Sequence, residues 1–335
     1  MKHYNIPIFV PHKGCPNDCV FCNQKRITGT MADVTVHDID NTIEEYLKTL
    51  PKDDRIIEIA FFGGSFTGID FDMQGLFLSA AHKYIKSGMV DGIRLSTRPD
   101  YIDKKILDQL KKYDVTTIEL GVQSLDEDVL KASNRGHTAE AVYNAVKLIK
   151  EYDFSLGLQM MTGLPGDTDE KSIETAQRII SLKPDFVRIY PTLVLKDTKL
   201  EEMYRNGDYL PQEIDDAVSL CKELLLLFTK AQIPVIRIAL QTTDEISPDG
   251  SLVAGPFNSQ FRELVESRIY FDKFRAALSS KYSKNTVIYV NIKEISKAIG
   301  ANKTNVKKLN RMYNMNVKII GDEKIKPGDF CIMSD

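Results

Sequence analysis

Long hydrophobic segments are missing from this 335-residue sequence. The apolar run at 6–10 is too short for a signal peptide, and the run at 224–228 is too short to cross a bilayer. Low-complexity tracts and internal repeats are also missing, while 43% of the residues are hydrophobic. The composition therefore predicts one large folded domain plus a small one, with no membrane partner.

Cysteine is scarce, with five residues in the chain. Three of them fall within the eight residues 15–22, whereas the disulfide framework of a secreted protein is scattered and usually even in number. We therefore expect a cytoplasmic protein in a reducing compartment. Cys221 and Cys331 stand apart from this group, and we expect both to be buried as small hydrophobic side chains.

Excess charge of one sign is absent overall, since the net charge is -3, but the distribution is uneven. Residues 281–326 contain eleven Lys and Arg against three acids, an excess of eight positive charges that leaves -11 for the rest of the chain. A basic C-terminal region on an acidic body indicates an anionic partner.

Strand-like apolar runs alternate with amphipathic helical stretches through the first 240 residues. Six strands with crossover helices indicate a parallel α/β sheet, and the number is too small for a full eight-unit barrel. We predict a partial (β/α)6 barrel, with an open doubly wound sheet as the alternative. The predicted strands are 5–10, 56–62, 91–96, 115–122, 154–161 and 185–190, and the predicted helices are 37–50, 73–86, 101–112, 126–152 and 169–182.

The sequence divides into three predicted parts. Residues 1–240 form the barrel, which a helix at 211–231 and a strand at 233–240 complete. Residues 241–280 are a connector followed by a helical segment. Residues 281–335 form a small basic α+β domain, with strands at 285–292 and 315–320 around two short helices.

Cys15, Cys19 and Cys22 follow the first strand in a CxxxCxxC pattern. Three thiolates at this spacing can hold three irons of a [4Fe–4S] cluster and leave the fourth iron open to a ligand. A zinc site with His12 as fourth ligand is the alternative, because cysteine and histidine bind both metals. The position after a strand favours the cluster, since α/β barrels carry their chemistry in the loops at the carboxyl ends of strands.

The CxxxCxxC pattern with Phe21 before the last cysteine resembles the signature of radical S-adenosylmethionine (SAM) enzymes. The resemblance implies a [4Fe–4S] cluster and SAM as cofactors. It further implies a ferredoxin- or flavodoxin-like electron donor, whose electron cleaves SAM reductively to a 5′-deoxyadenosyl radical.

Later strand ends resemble the SAM-binding motifs of the same superfamily. Gly63, Gly64 and Ser65 resemble the Gly-Gly-Glu motif that binds the methionine amino group, with Ser65 in place of the acid. Ser96 begins a Ser-Thr-Arg-Pro-Asp segment at the end of the third strand. In relatives a carboxylate near the ligand occupies the position of Ser96.

Gln123 and Arg135 resemble the SAM-contacting Gln and Arg of the oxygen-independent coproporphyrinogen oxidases. A planar guanidinium suits the methionine carboxylate, although Arg135 taken alone also fits a salt bridge at a helix end. Gln159, at the end of the fifth strand, stands where these relatives have a ribose-binding acid.

The branch is indicated by residues 187–194, VRIYPTLV, which together with 96–100 resemble the elongator catalytic subunit. This resemblance covers 5–240 and implies a tRNA-modifying enzyme. About 95 residues follow position 240, too few for the acetyltransferase domain of that subunit, so acetyl transfer is not implied. A radical SAM enzyme with a small substrate and a zinc-containing RNA-binding protein are the alternative functions.

Residues 295–309 combine a predicted helix pair with the basic charge of the C-terminal region. Strand–helix–turn–helix–strand is the core of a KH module, whose Gly-rich turn clamps the nucleic-acid backbone, and a helix-turn-helix motif is the alternative. In the KH interpretation Gly300 is the first glycine and Lys303 replaces the second. The predicted nucleic-acid-binding residues are Gly300, Lys303, Lys307, Lys308 and Arg311.

Overall fold

The structure is a computed structural model that describes residues 2–10, 18–22, 34–51, 53–243, 246–278 and 284–334. His12 and Cys15 lie outside the described residues. Packing divides the chain into two compact units, 1–213 with 227–256 and 214–226 with 257–335.

The described residues of the first unit form one sheet of seven parallel strands in the order β1-β2-β3-β4-β5-β6-β8. Among these residues no ladder joins β1 to β8, so the sheet is an open, partial barrel. The predicted architecture is confirmed, and the barrel has one strand more than the predicted six, because the strand expected at 233–240 adds next to β6. The strands are β1 (Lys2–Val10), β2 (Arg55–Gly63), β3 (Gly92–Thr97), β4 (Val115–Gln123), β5 (Ser155–Thr162), β6 (Phe186–Pro191) and β8 (Val235–Ile238).

Helices connect these strands, and most begin at a Thr or Asp whose side chain accepts a hydrogen bond from a backbone N–H of the first turn. The segment predicted as 126–152 consists of two helices, and the break between them contains Arg135. The helices are α1 (Val36–Thr49), α2 (Phe71–Lys86), α3 (Lys104–Lys112), α4 (Glu127–Ala132), α5 (Ala139–Glu151), α6 (Asp169–Ser181), α7 (Lys199–Asn206) and α8 (Ile214–Lys230).

Three elements of the first unit were not predicted. Helix α7 starts at the N-cap Thr198. Strand β7 (Val194–Leu195) pairs antiparallel with β9 (Leu252–Ala254), inside the segment predicted as a connector. These elements matter because α7 and β7 pack beside the cysteine loop, as described below.

The second unit contains a three-stranded sheet in the order β11-β10-β12, with β10 parallel to β11 and antiparallel to β12. Helices and strands lie where they were predicted, and β12 is an additional strand. The KH-like assignment stays a prediction. The elements are α9 (Phe261–Ala277), β10 (Asn285–Asn291), α10 (Ile295–Ile299), α11 (Thr304–Tyr313), β11 (Asn316–Asp322) and β12 (Phe330–Ser334).

Cys221 is buried in α8, as predicted, whereas the prediction for Cys331 is wrong: it is exposed on β12. Its side chain alternates with the core-facing Ile332 and therefore points away from the core. In the described part of the chain, no helix is both long and apolar enough to cross a membrane.

Candidate functional site

The described part of the cysteine loop, 18–22, is fixed by backbone contacts on two sides. The N–H of Val20 donates to the carbonyl of Ser133 at 3.1 Å, and the Val20 carbonyl accepts from the N–H of Leu200 at 2.7 Å. The amide nitrogen of Asn134 donates to the Asp18 carbonyl at 2.9 Å. The loop is thereby held between the α4–α5 break and the first turn of α7.

Cys19 and Cys22 lie in one tight turn, in which the Cys22 N–H donates to the Cys19 carbonyl at 2.9 Å. Cys19 is buried and Cys22 is half-buried. Phe21 packs against a hydrophobic cluster that contains Val194 and Leu200. No group of three potential metal ligands is found among the described residues, which include only two of the three motif cysteines.

Arg135 joins the cysteine loop to the carboxyl end of β4. Its side chain is buried, with Nη1 3.6 Å from the Cys19 Sγ and Nη2 donating to the Gly121 carbonyl at 2.7 Å. A Cβ at position 121 would lie 2.8 Å from the Gln123 Nε2 and 2.9 Å from the Arg135 Nη2. Both side chains therefore converge over Gly121, and only glycine leaves room for them.

Gln123 adopts a backbone φ of 65° at an irregular pairing between β4 and β5. Such a conformation is uncommon for residues other than glycine and often marks a functional site. Gln123 is the last residue of β4, and an irregular pairing of this kind changes the direction of its side chain. The predicted residues Cys19, Gln123 and Arg135 are thus brought together at one strand end.

Ser65 has a structural partner on the next strand. Its buried Oγ lies 2.8 Å from the Thr97 Oγ1 and accepts from the Arg98 N–H at 3.2 Å. The hydroxyl therefore ties the end of β2 to the end of β3. Gly63 adopts a φ of 101°, a region that favours glycine, so the turn at this strand end depends on that residue.

The inner face of the barrel carries an ion network centred on the fully buried Glu119. Arg94 Nη2 lies 2.8 Å from the Glu119 Oε1, and Arg188 Nε lies 2.7 Å from its Oε2. Gln159 Nε2 donates to the same carboxylate at 3.3 Å. Ser96 pairs with Glu119 across β3 and β4. Gln159 therefore lies next to buried charge.

Glu58 extends the network toward β1. It accepts from Arg94 Nη1 at 3.1 Å and from the Thr116 hydroxyl at 2.7 Å, and His3 Nε2 lies 2.7 Å away. Sequence reasoning missed these charged residues. The available signal is one charged residue in the interior of each of four largely apolar strands, at Glu58, Arg94, Glu119 and Arg188.

The predicted nucleic-acid residues of the second unit have two different environments. Gly300 is buried, and a Cβ there would come within 2.9 Å of the Ser267 Oγ on α9, so helix packing accounts for the glycine. The basic side chains on and before α11 are exposed. They are Lys303, Lys307, Lys308 and Arg311.

His137 is buried beside the site, and its Nε2 has no hydrogen-bond partner among the described residues. Burial, and next the positive charge of Arg135, lower the pKa of His137 to about 4. The imidazole is therefore neutral in the folded protein at pH 7.

We expect His137 to make the fold acid-sensitive. The pKa of His137 in the folded protein lies below the ordinary value of 6.5, so below about pH 6.5 the unfolded chain binds a proton that the folded protein does not. The free energy of unfolding is therefore highest above about pH 6.5 and falls as the pH drops toward 4. Between about pH 7 and pH 5 the loss is on the order of 2 kcal/mol. Denaturant unfolding of the wild type and of His137→Gln measures it, and equal acid sensitivity of the two would contradict the assignment.

An open parallel barrel with a cysteine loop at its strand ends is the architecture of an α/β enzyme that binds a metal–sulfur group. The chain belongs to the radical SAM superfamily: the model of that family matches residues 9–179, and the radical SAM C-terminal domain matches 184–270. Members of the family use a [4Fe–4S] cluster and SAM, and the zinc alternative gives way to the cluster.

Two curated relatives illustrate the branch. The chain is 27% identical over 255 residues to the tRNA uridine(34) acetyltransferase of Methanocaldococcus jannaschii. The aligned region covers 64% of this chain and 47% of the relative. It is 32% identical over 203 residues to human Elongator complex protein 3, covering 55% and 37%. The chain thus spans less than half the length of these relatives.

Solved structures show the same fold. The archaeal Methanocaldococcus infernus Elp3 superposes with a TM-score of 0.64 at 24% identity, covering 82% of this chain and 63% of that one. The Escherichia coli coproporphyrinogen III oxidase gives a TM-score of 0.50 at 17% identity, covering 81% and 58%.

The residues at the strand ends fit the cofactors of the family. Cys19 supplies a buried cysteine side chain beside a guanidinium, and a cation at this distance suits an anionic cluster. The glycine at position 121 leaves room for two polar side chains, Gln123 and Arg135, to converge at this strand end. Both features suit a ligand with a carboxylate group, which the methionine part of SAM provides.

Proposed function

We propose that this chain is a radical SAM enzyme that modifies tRNA. Two features support an RNA substrate: the curated relatives named as tRNA uridine(34) acetyltransferases, and the eight excess positive charges of residues 281–326. The observation that carries the enzyme site is the Arg135 side chain, which contacts both the Cys19 thiol and the Gly121 carbonyl.

The proposed roles follow the geometry. Cys15, Cys19 and Cys22 would ligate three irons, while Arg135 and Gln123 would bind and orient the methionine part of SAM over Gly121. Gly63 and Gly64 would let the ligand approach the backbone. Phe21 packs against the hydrophobic cluster that contains Leu200 of α7, and this contact would hold the cysteine turn beside α7.

Reductive cleavage of SAM at the cluster would supply a 5′-deoxyadenosyl radical. A ferredoxin- or flavodoxin-like protein is the proposed one-electron donor. Glu119 and its two arginines would hold the inner wall rigid, because each group has at least two partners. Arg188, for example, contacts both Glu119 and the Tyr190 hydroxyl. A cytoplasmic location stays a prediction.

The test combines purified protein with cells. After anaerobic reconstitution, the protein is expected to release 5′-deoxyadenosine from SAM when a reductant is added. Mass spectrometry of tRNA nucleosides from cells with and without the gene is expected to show one nucleoside that disappears and that the wild-type gene restores, but the Cys22→Ala gene does not. Unchanged tRNA together with active SAM cleavage would favour a small substrate instead.

We expect Arg135→Lys to weaken SAM binding at least about tenfold, since a charge-assisted contact is worth roughly 1.5–3 kcal/mol and lysine cannot span both Cys19 and Gly121. Anaerobic equilibrium dialysis with SAM measures the affinity. The matched control is Arg205→Lys, which alters an exposed pair with Glu201. Equal affinities at equal iron content would remove Arg135 from the binding site.

A further inference from the structure

The three-stranded sheet of the second unit has one covered and one open face. Side chains such as Ile288, Val317 and Ile319 point into a core that contains Phe274 of α9 and Leu309 of α11. Because side chains alternate along a strand, the intervening residues lie on the opposite face. Among the described residues of this unit, the helices therefore cover one side of the sheet.

The opposite side, here named the open face, has an aromatic residue at its centre. Tyr289 pairs with Ile320 on β11 and with Cys331 on β12, while Val287 pairs with Lys318 and Met333. Ile320 is 41% exposed and Met333 is 58% exposed. The open face consists of Val287, Tyr289, Lys318, Ile320, Cys331 and Met333.

The charge around the open face favours an anionic occupant. None of its six residues is acidic, and Lys318 lies within it. Asp322, the next residue of β11 on the same side and the partner of Asn291, accepts a hydrogen bond from the Lys324 N–H at 2.8 Å. Lys284 and Lys293, both exposed, flank the two ends of the central strand. The neighbouring Glu294 is engaged by the Tyr270 hydroxyl at 2.7 Å and by the Gly328 N–H. An aromatic and aliphatic platform with a lysine rim binds the bases and phosphates of unpaired nucleotides.

We propose that the open face binds an unpaired segment of RNA, with Tyr289 stacking on a base and Lys318 contacting the backbone. The inference rests on the proposed RNA substrate and assigns the surface that recognises it. It differs from the clamp predicted at the turn between α10 and α11, where burial of Gly300 against Ser267 already accounts for the glycine.

Full-length protein and a fluorescent hairpin RNA with an unpaired loop test the assignment, with a blunt duplex of the same stem as reference. In fluorescence anisotropy, Tyr289→Ala is expected to weaken hairpin binding about tenfold and to leave duplex binding unchanged, because stacking needs unpaired bases. Tyr289→Phe keeps the ring and is expected to bind like the wild type. Lys318→Ala is expected to reduce the salt slope of binding by about 0.7.

The exposed thiol of Cys331 gives a second readout, since bound RNA should slow its alkylation as followed by mass spectrometry. The helix variant Lys307→Ala/Lys308→Ala is the matched comparison and is expected to affect hairpin and duplex equally. Folding of each variant is checked by thermal unfolding.

Failure of the wild type to bind either RNA would overturn the proposed RNA substrate itself. If the wild type binds but Tyr289→Ala binds equally well, with Cys331 unprotected, only the open-face assignment is wrong. A change of oligomeric state in Tyr289→Ala, seen by light scattering, would overturn it in favour of a protein interface.

Discussion

Cys19→Ala is expected to abolish SAM cleavage and to remove the brown [4Fe–4S] chromophore of the reconstituted protein. The loss should be complete, because two cysteines cannot hold three irons and because Cys19 is the buried cysteine beside Arg135. Iron content, the visible absorption spectrum and release of 5′-deoxyadenosine measure the three consequences separately.

The matched control is Cys331→Ser, which changes an exposed cysteine on β12 and should leave iron content and SAM cleavage at wild-type levels. Thermal unfolding distinguishes loss of the cluster from loss of the fold. A Cys19→Ala protein that keeps its iron and still cleaves SAM would refute the cysteine assignment, whatever its effect on tRNA.

The strand-end residues were predictable because each strand of the barrel ends in a recognisable loop. The CxxxCxxC spacing located the loop at Cys19, and the pairing of apolar strands with helices located Gln123 at a carboxyl end. The sequence could not show that Arg135 reaches across to Cys19, because that contact depends on the break between α4 and α5 and on a separation of 116 residues.

Other features depend on pairing that periodicity does not encode. Glu119 is surrounded by charges from β3 and β6, and alternation alone gives the face of each residue but not which strands become neighbours. Strand β12 is five residues long and follows a polar turn, so its alternation was too short to recognise. The exposure of Cys331 follows from that strand and was therefore missed.

Glu119→Gln is expected to destabilise the fold by about 3–5 kcal/mol, the usual cost of removing one partner from a buried ion network. The amide keeps the size of the side chain but removes the negative charge. Arg94 then keeps the carboxylate of Glu58, whereas Arg188 keeps the uncharged Tyr190 hydroxyl at 3.3 Å. Denaturant unfolding measures the loss. The matched control is Glu174→Gln, which breaks an exposed pair with Arg178 and should cost at most about 1 kcal/mol.

A second variant separates charge from packing. Glu119→Leu combined with Arg188→Met removes one carboxylate and one guanidinium together, so Arg94 keeps Glu58 and no positive charge loses its only carboxylate. Replacing a buried pair by apolar side chains is often neutral, so the double variant should be more stable than Glu119→Gln although it changes two core positions. If the double variant is the less stable of the two, the network contributes through shape and hydrogen bonding rather than through charge balance. Gln159, which stands where relatives have a ribose-binding acid, donates to Glu119 at 3.3 Å. On the proposal that Gln159 contacts SAM as that acid does, a variant that keeps the fold but moves this amide is expected to weaken SAM binding without changing iron content.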